Sequence, residues 1–142
     1  MSVAVILLDR RYSIYVRHLR SLAEKVLAGE SASDKALNLI YCRDLDILRL
    51  NRKFKGKNRT TDVLAFNLGD ADDPEFLGEI YVNLQQARRQ AGEMMIPYVE
   101  EVRRLTVHGI LHLLGYKDDS KTQRSRMWAR QEAFLYGQYK RR

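Results

Sequence analysis

Thr106-Val107-His108-Gly109-Ile110-Leu111-His112-Leu113-Leu114-Gly115-Tyr116-Lys117-Asp118-Asp119 sets two histidines, a glycine and two acids at the spacings of a helix closed by a sharp turn. His108 and His112 are four residues apart, so on a helix of 3.6 residues per turn they lie about 40° from each other and can chelate one ion. Gly115 stands where a left-handed residue would end that helix and send the chain back. Asp118, ten residues after His108, then falls at the offset at which zinc-binding helices followed by a glycine turn supply a third ligand. Two imidazoles and one carboxylate leave a coordination position open for water. Paired histidines on an apolar helix also occur as hydrogen-bonded core residues, but the glycine and acid at matching offsets favour metal. The chain has three histidines, and the third, His18, lies between Arg17 and Arg20 as a surface residue would. Asp119 is a candidate fourth ligand, which would make the ion structural.

Metalloproteases of this general form carry Glu directly after the first histidine as general base, and here that position is Gly109. Peptide hydrolysis is therefore disfavoured. A glycine there leaves room for a bulky substrate beside the metal, or lets another backbone approach.

Outward from this stretch, Pro97 suits the first turn of the metal-bearing helix, and Ser120 to Tyr136 reads as a last helix. Val3 to Leu8 is strand-like. Ser13 to Leu27 has helix-spaced Ile14, Leu19, Leu22 and Val26 before a stop at Gly29. Ala36 to Tyr41 reads as a strand and Asp44 to Phe54 as a helix that Asp44 can cap. Val63 to Phe66 and Leu77 to Val82 are short strands joined by a polar hairpin-type connection, Gly69 to Glu75. Asn83 caps a helix to about Met94. The order predicts an α+β fold: one compact domain over residues 1–142, a small mixed sheet packed with helices, and the metal site on a helix ending in a glycine turn.

At 142 residues the chain can bury roughly two thirds of the surface its unfolded form exposes. Its 25 Lys and Arg against 18 acidic residues give a net charge of +7 and a pI near 9.7, which favours a polyanionic partner. Arg49, Arg52, Lys53, Lys55, Lys57 and Arg59 cluster before Asp62 and invite phosphate contact. A second group, Arg124, Arg126, Arg130, Lys140, Arg141 and Arg142, loads the C-terminal helix and tail. Cys42 is the only cysteine, so no internal disulfide can form and a reducing compartment is the natural home. Ser2 to Leu8 is too short for a membrane span, and its charges follow the apolar run where a secretory signal has them in front. A cytoplasmic location with no membrane partner is expected.

The metal stretch resembles the signature of the YbeY family of bacterial endoribonucleases, described as ribosomal RNA maturation factors. That signature, His-Gly-x-Leu-His-Leu-x-Gly-Tyr-Asp-His, is followed from His108 to Tyr116 before the chain departs as Lys117-Asp118. A second family block is similar to Leu50-Asn51, Phe54-Lys55-Gly56 and Thr60-Thr61-Asp62-Val63-Leu64-Ala65-Phe66, and a third to Leu77-Gly78-Glu79-Ile80. Met127 and Glu132 in the final helix add to the likeness. Asp118 stands where the family has a third histidine, which adds negative charge and admits harder metals such as manganese or iron. Lys55 stands where the family usually has Arg, keeping the charge without the planar fork. The resemblance implies the same α+β architecture, with the metal in a cleft between the His108 helix and the Asp62 to Val82 strands.

The expected function is metal-dependent hydrolysis of phosphodiester bonds in single-stranded RNA, in ribosomal RNA processing, with ribosomal subunit proteins as further partners. One divalent ion, Zn2+ first among the candidates, would be held by His108, His112 and Asp118, and would either deliver hydroxide or polarise a phosphoryl oxygen. Lys55 and Arg59 would bind phosphate. Asp62 and Glu79 are the carboxylates expected to position water, the alternatives being a turn cap for Asp62 and a solvent-facing side chain for Glu79. Tyr98, Tyr116, Tyr136 and Tyr139 either stack bases or, as tyrosines more usually do, pack. Two other classes remain open: a metal-dependent hydrolase of another bond such as an amide, and a ribosome-associated RNA-binding module with a structural ion.

Overall fold

A computed structural model describes residues 3–11 and 14–137. Strands β1 (Val3–Leu7), β2 (Ala36–Cys42), β3 (Val63–Asn67) and β4 (Phe76–Asn83) form one sheet in the order β1-β2-β4-β3. The first two neighbouring pairs are parallel and β3 runs antiparallel to β4, so the sheet is mixed and β3 is an edge. Helices α1 (Val16–Gly29), α2 (Asp44–Lys55), α3 (Leu84–Met94), α4 (Tyr98–Leu113) and α5 (Lys121–Glu132) complete the α+β domain, and a π-helical turn, Ala133–Gly137, follows α5. The connections that join parallel strands carry helices, as parallel pairing requires.

The alternation of strand side chains sorts the sheet into two faces. Val63, Ala65, Ile80 and Val82 face the main core, which α1, α3 and α4 cover. Leu64, Phe66 and Tyr81 face the other way, with Cys42 at the end of β2 and with Ile47 and Leu50 of α2. Helix α4 is buried on most sides, with Val107, Ile110 and Leu111 fully enclosed. Each such side chain stabilises the fold by about 1.5–3 kcal/mol relative to exposure. Gly109 lies where α4 crosses the sheet: a Cβ there would come within 2.5 Å of Ile80 Cγ2 and 3.3 Å of Val63 Cγ2. Its missing side chain therefore makes room for the sheet's own side chains.

Several local expectations shift. Ser13 lies outside the described residues, and α1 begins at Val16. Gly29 is the last residue of α1, where the stop was expected; a Cβ there would strike the Phe134 ring at 2.5 Å, while Ser31 takes the left-handed turn at φ 58°. Asp44 is the first residue of α2 and does not cap it, since the Arg43 N–H at that end donates to the Asp46 carboxylate at 3.1 Å. Asp44 instead accepts from Asn83 and Arg89. Asn83 caps α3 as expected, accepting from the N–H groups of Gln85 and Gln86 at 3.1 Å each. The last helix gives way to the π turn at Ala133 rather than running to Tyr136. Tyr98, Tyr116 and Tyr136 pack against the core, and Tyr139, with Lys140, Arg141 and Arg142, lies outside the described residues. Among the described residues no helix is long and apolar enough to cross a membrane.

Candidate metal centre

Helix α4 ends as its sequence requires. Gly115 has φ 102°, its N–H bonds the His112 carbonyl at 3.1 Å, and the Tyr116 N–H bonds the Leu111 carbonyl at 3.0 Å. This pair of reversed bonds satisfies carbonyls that would otherwise end the helix unpaired. The turned chain brings Asp118 back, so that His108, His112 and Asp118 offer ligand atoms all within 4.8 Å of one another.

Hydrogen bonds fix which imidazole nitrogens face the centre. His112 Nδ1 lies 3.1 Å from the Tyr116 carbonyl, which only accepts, so Nδ1 carries the proton and Nε2 presents a lone pair. His108 Nδ1 lies 2.9 Å from Gln131 Oε1, and the Gln131 amide is oriented by its NH2 group donating to Glu132 at 3.3 Å. His108 Nε2 is therefore also a bare acceptor. The two Nε2 atoms stand 3.1 Å apart, and His112 Nε2 stands 3.3 Å from Asp118 Oδ2. Three acceptors converge with no donor hydrogen among them, an arrangement that repels itself unless a cation lies between. Ligands at about 2.0–2.1 Å around a tetrahedral Zn2+ sit about 3.3 Å from one another, close to the two separations measured from His112 Nε2. Burial pushes the His108 pKa below its ordinary 6.5, opposed by the Gln131 bond and by the Asp62 and Asp118 charges, which keeps the ring neutral and ready to ligate.

The other expected residues divide. Lys55, at the end of α2, lines a cleft of about 250 Å³ with Val63, Leu64, Ala65, Asn67, His112 and Leu113, so it shares a wall with one of the clustered histidines. Asp62 precedes β3 and acts electrostatically on His108. Its loop is pinned at both ends by buried asparagines: Asn51 donates to the Arg59 carbonyl at 2.8 Å, and Asn83 donates to Thr60 and Thr61 at 3.2 and 3.1 Å while its N–H bonds the Asp62 carbonyl at 2.8 Å. The Arg59 side chain is exposed on that pinned loop. Glu79 is not with them. It sits one residue from Ile80 on the α2 face of β4, receiving hydrogen bonds from Asn38 at 3.3 Å and Tyr81 at 2.9 Å. A one-residue offset along a strand reverses the face, and local sequence does not tell which face a lone carboxylate takes. Asp119 is outside the cluster; its N–H bonds Gln123 at 2.9 Å, beside the Ser120 cap of α5. His18 is exposed.

Sequence reading missed Gln131, Asn51 as a loop anchor and the second role of Asn83. Gln131 meets His108 across 23 positions of sequence, so no local spacing could have announced it.

Fold and centre together define an α+β protein whose central helix carries a His-x-x-x-His pair completed by a carboxylate after a glycine turn. The description "Endoribonuclease YbeY" belongs to the family model that matches residues 7–138. The chain belongs to that family. It is 35% identical over 120 residues to a Geobacter sulfurreducens endoribonuclease YbeY, covering 82% of this chain and 80% of that protein. To the corresponding Persephonella marina protein it is 37% identical over 108 residues, covering 73% and 70%. The solution structure of a Thermotoga maritima protein superimposes with a TM-score of 0.65 at 29% identity, over 97% of this chain and 91% of that one.

Proposed function

We propose that this protein is a metal-dependent endoribonuclease that hydrolyses phosphodiester bonds in single-stranded RNA during ribosomal RNA processing, using one Zn2+ held by His108, His112 and Asp118. The convergence of three proton-free acceptors beside a lysine-lined cleft carries this reading. When bound, such an ion supplies Lewis acidity and an activated water. The chain's own residues do the rest. Gln131 and the Tyr116 carbonyl hold both imidazoles in one tautomer, so the ligands need no rearrangement. Lys55 neutralises a phosphate in the cleft next to His112, with Arg59 adding a second cation from the pinned loop. Asp62, whose charge bears on His108, would position water at the centre; Glu79, on the other face, has no part. With Asp119 outside the cluster, three protein donors leave a position open, which favours catalysis over a structural ion. In this reading the partners are ribosomal RNA and ribosomal subunit proteins, met in the cytoplasm.

The test is cleavage of a labelled single-stranded RNA by purified protein, with and without chelator, beside His108→Ala. Cleavage should stop with chelator, return with Zn2+ and be absent in the variant while RNA binding persists. Activity that survives His108→Ala would place the chemistry elsewhere, and tight binding without cleavage under any metal would favour the binding-module reading.

A further inference from the structure

A second cleft meets the candidate metal centre at His108 and Asp118. It is lined by His108, Asp118, Arg124, Met127, Trp128 and Gln131 and encloses about 180 Å³. Arg124, Met127, Trp128 and Gln131 fall at i, i+3, i+4 and i+7, so one face of α5 builds the notch. Met127 and Gln131, each 2% exposed, form its floor. Trp128 is 52% exposed, unusual for the largest apolar side chain beside so enclosed a floor. The Arg104 guanidinium lies 5.6 Å from the Trp128 ring centroid. Arg104 is itself anchored by Glu132 at 2.8 Å and Glu101 at 3.2 Å, so the indole is backed by a fixed cation. Opposite, Arg124 is steadied by its bond to the Asp118 carbonyl at 3.3 Å.

We infer that this notch takes one nucleobase of the RNA strand, the base next to the phosphate that lies at the metal centre, with Trp128 as its stacking wall. The inference rests on the endoribonuclease reading and names how that site holds its substrate. The notch is too small for a ligand of drug size, whose pockets run from about 300 Å³, and suits a single flat heteroaromatic ring. His108 and Asp118 are themselves part of its lining, so whatever fills it lies next to whatever lies at the ion. The exposed Arg124 in its lining matches an anionic strand and not an apolar peptide. Stacking on an aromatic wall is how single-stranded RNA is commonly gripped, and it tolerates any base because every base has a π-face.

Trp128 is the chain's only tryptophan, so its emission reports on the notch alone. The experiment titrates the metal-loaded protein with a short single-stranded 2′-O-methyl oligonucleotide, chosen to slow cleavage, following both tryptophan emission and the anisotropy of an end label. The intact oligonucleotide should quench the emission. Removing the base at each position in turn should relieve quenching at one position only and weaken binding there by about five- to a hundred-fold, the usual worth of one stacked base. Trp128→Ala should weaken the intact oligonucleotide by a similar factor and lose its sensitivity to that abasic position, while Trp128→Phe keeps most of both. The abasic scan on the unaltered protein needs no variant to fold. Binding with unchanged emission and no sensitive position overturns the notch assignment and leaves the endoribonuclease reading intact. No binding of any single strand overturns both.

Discussion

Gln131→Leu removes the one contact that decides where the His108 proton sits. In the folded protein the Nδ1–H donates to Gln131 Oε1 at 2.9 Å, and Gln131 is 2% exposed, so water has little access to replace it. The variant has two options. It can keep the proton on Nδ1, buried and unpaired, at a cost of about 1–3 kcal/mol. Or it can move the proton to Nε2, where it blocks the lone pair that a metal needs. In the first case the cost falls on the stability of the metal-free fold; in the second, metal binding must move the proton back and bears it, a loss of roughly 5- to 150-fold in affinity, in line with the ten- to hundredfold effect of removing such supporting bonds elsewhere. Leucine is apolar and of similar length, so the metal-free fold should change little. Gln131→Glu keeps an acceptor and should bind metal within about tenfold of the parent. Competition against a chromogenic zinc chelator gives the affinities, and urea unfolding of the metal-free variants gives the stabilities. Unchanged zinc affinity together with unchanged metal-free stability in Gln131→Leu would refute the tautomer argument, and with it the claim that the two Nε2 atoms are bare acceptors.

Asp118→His should raise zinc affinity relative to manganese, because imidazole is the softer donor, whereas Asp119→Ala should leave both nearly unchanged; competition titrations check this, and a larger effect at Asp119 would transfer the ligand role there. Lys55→Ala should weaken binding to all RNA sequences alike and reduce the salt slope by about one, while Lys55→Arg should increase cleavage through a two-bonded grip on phosphate; a slope unchanged in Lys55→Ala removes the phosphate contact. Burial holds the folded-state pKa of His108 below 6.5, so as pH falls the unfolded chain takes up the proton first. Metal-free stability should be full above about pH 6.5 and decline as pH falls from there toward the depressed folded value. Urea midpoints at pH 7.5 and 5.5 measure it, and an equal decline in His108→Gln would assign the effect to another group.

What the chain disclosed in advance was local. The His-x-x-x-His pair, Gly115 and Asp118 lie within one helix and its turn, where spacing alone fixes geometry, and Asn83 announced its cap because capping acts over three residues. Strands β3 and β4 were legible from their β-branched and aromatic runs. What stayed hidden depends on partners far along the chain. Nothing near Gly29 announces that Phe134 packs against it, and Gly109 reads equally as space for substrate or as a close approach until Ile80 is placed there. Glu79 looks like a catalytic acid until the sheet has two faces to choose between. Gln131, one of the two groups that orient the ligands, sits in a helix whose sequence is mostly polar and gives no hint of which glutamine turns inward.

The backbone of Tyr116 serves two masters. Its N–H ties back to Leu111 and closes α4, while its carbonyl holds the His112 ring. The helix end, the ligand tautomer and the return of Asp118 are thus set by the same few bonds, and they form or fray together. A residue inserted or deleted between His112 and Asp118 would move all three at once, with every ligand still present in the sequence. In this segment the chain's length is as much a part of the site as its side chains. Amide hydrogen exchange at Tyr116 should accordingly slow when metal binds, making one backbone proton a gauge of occupancy.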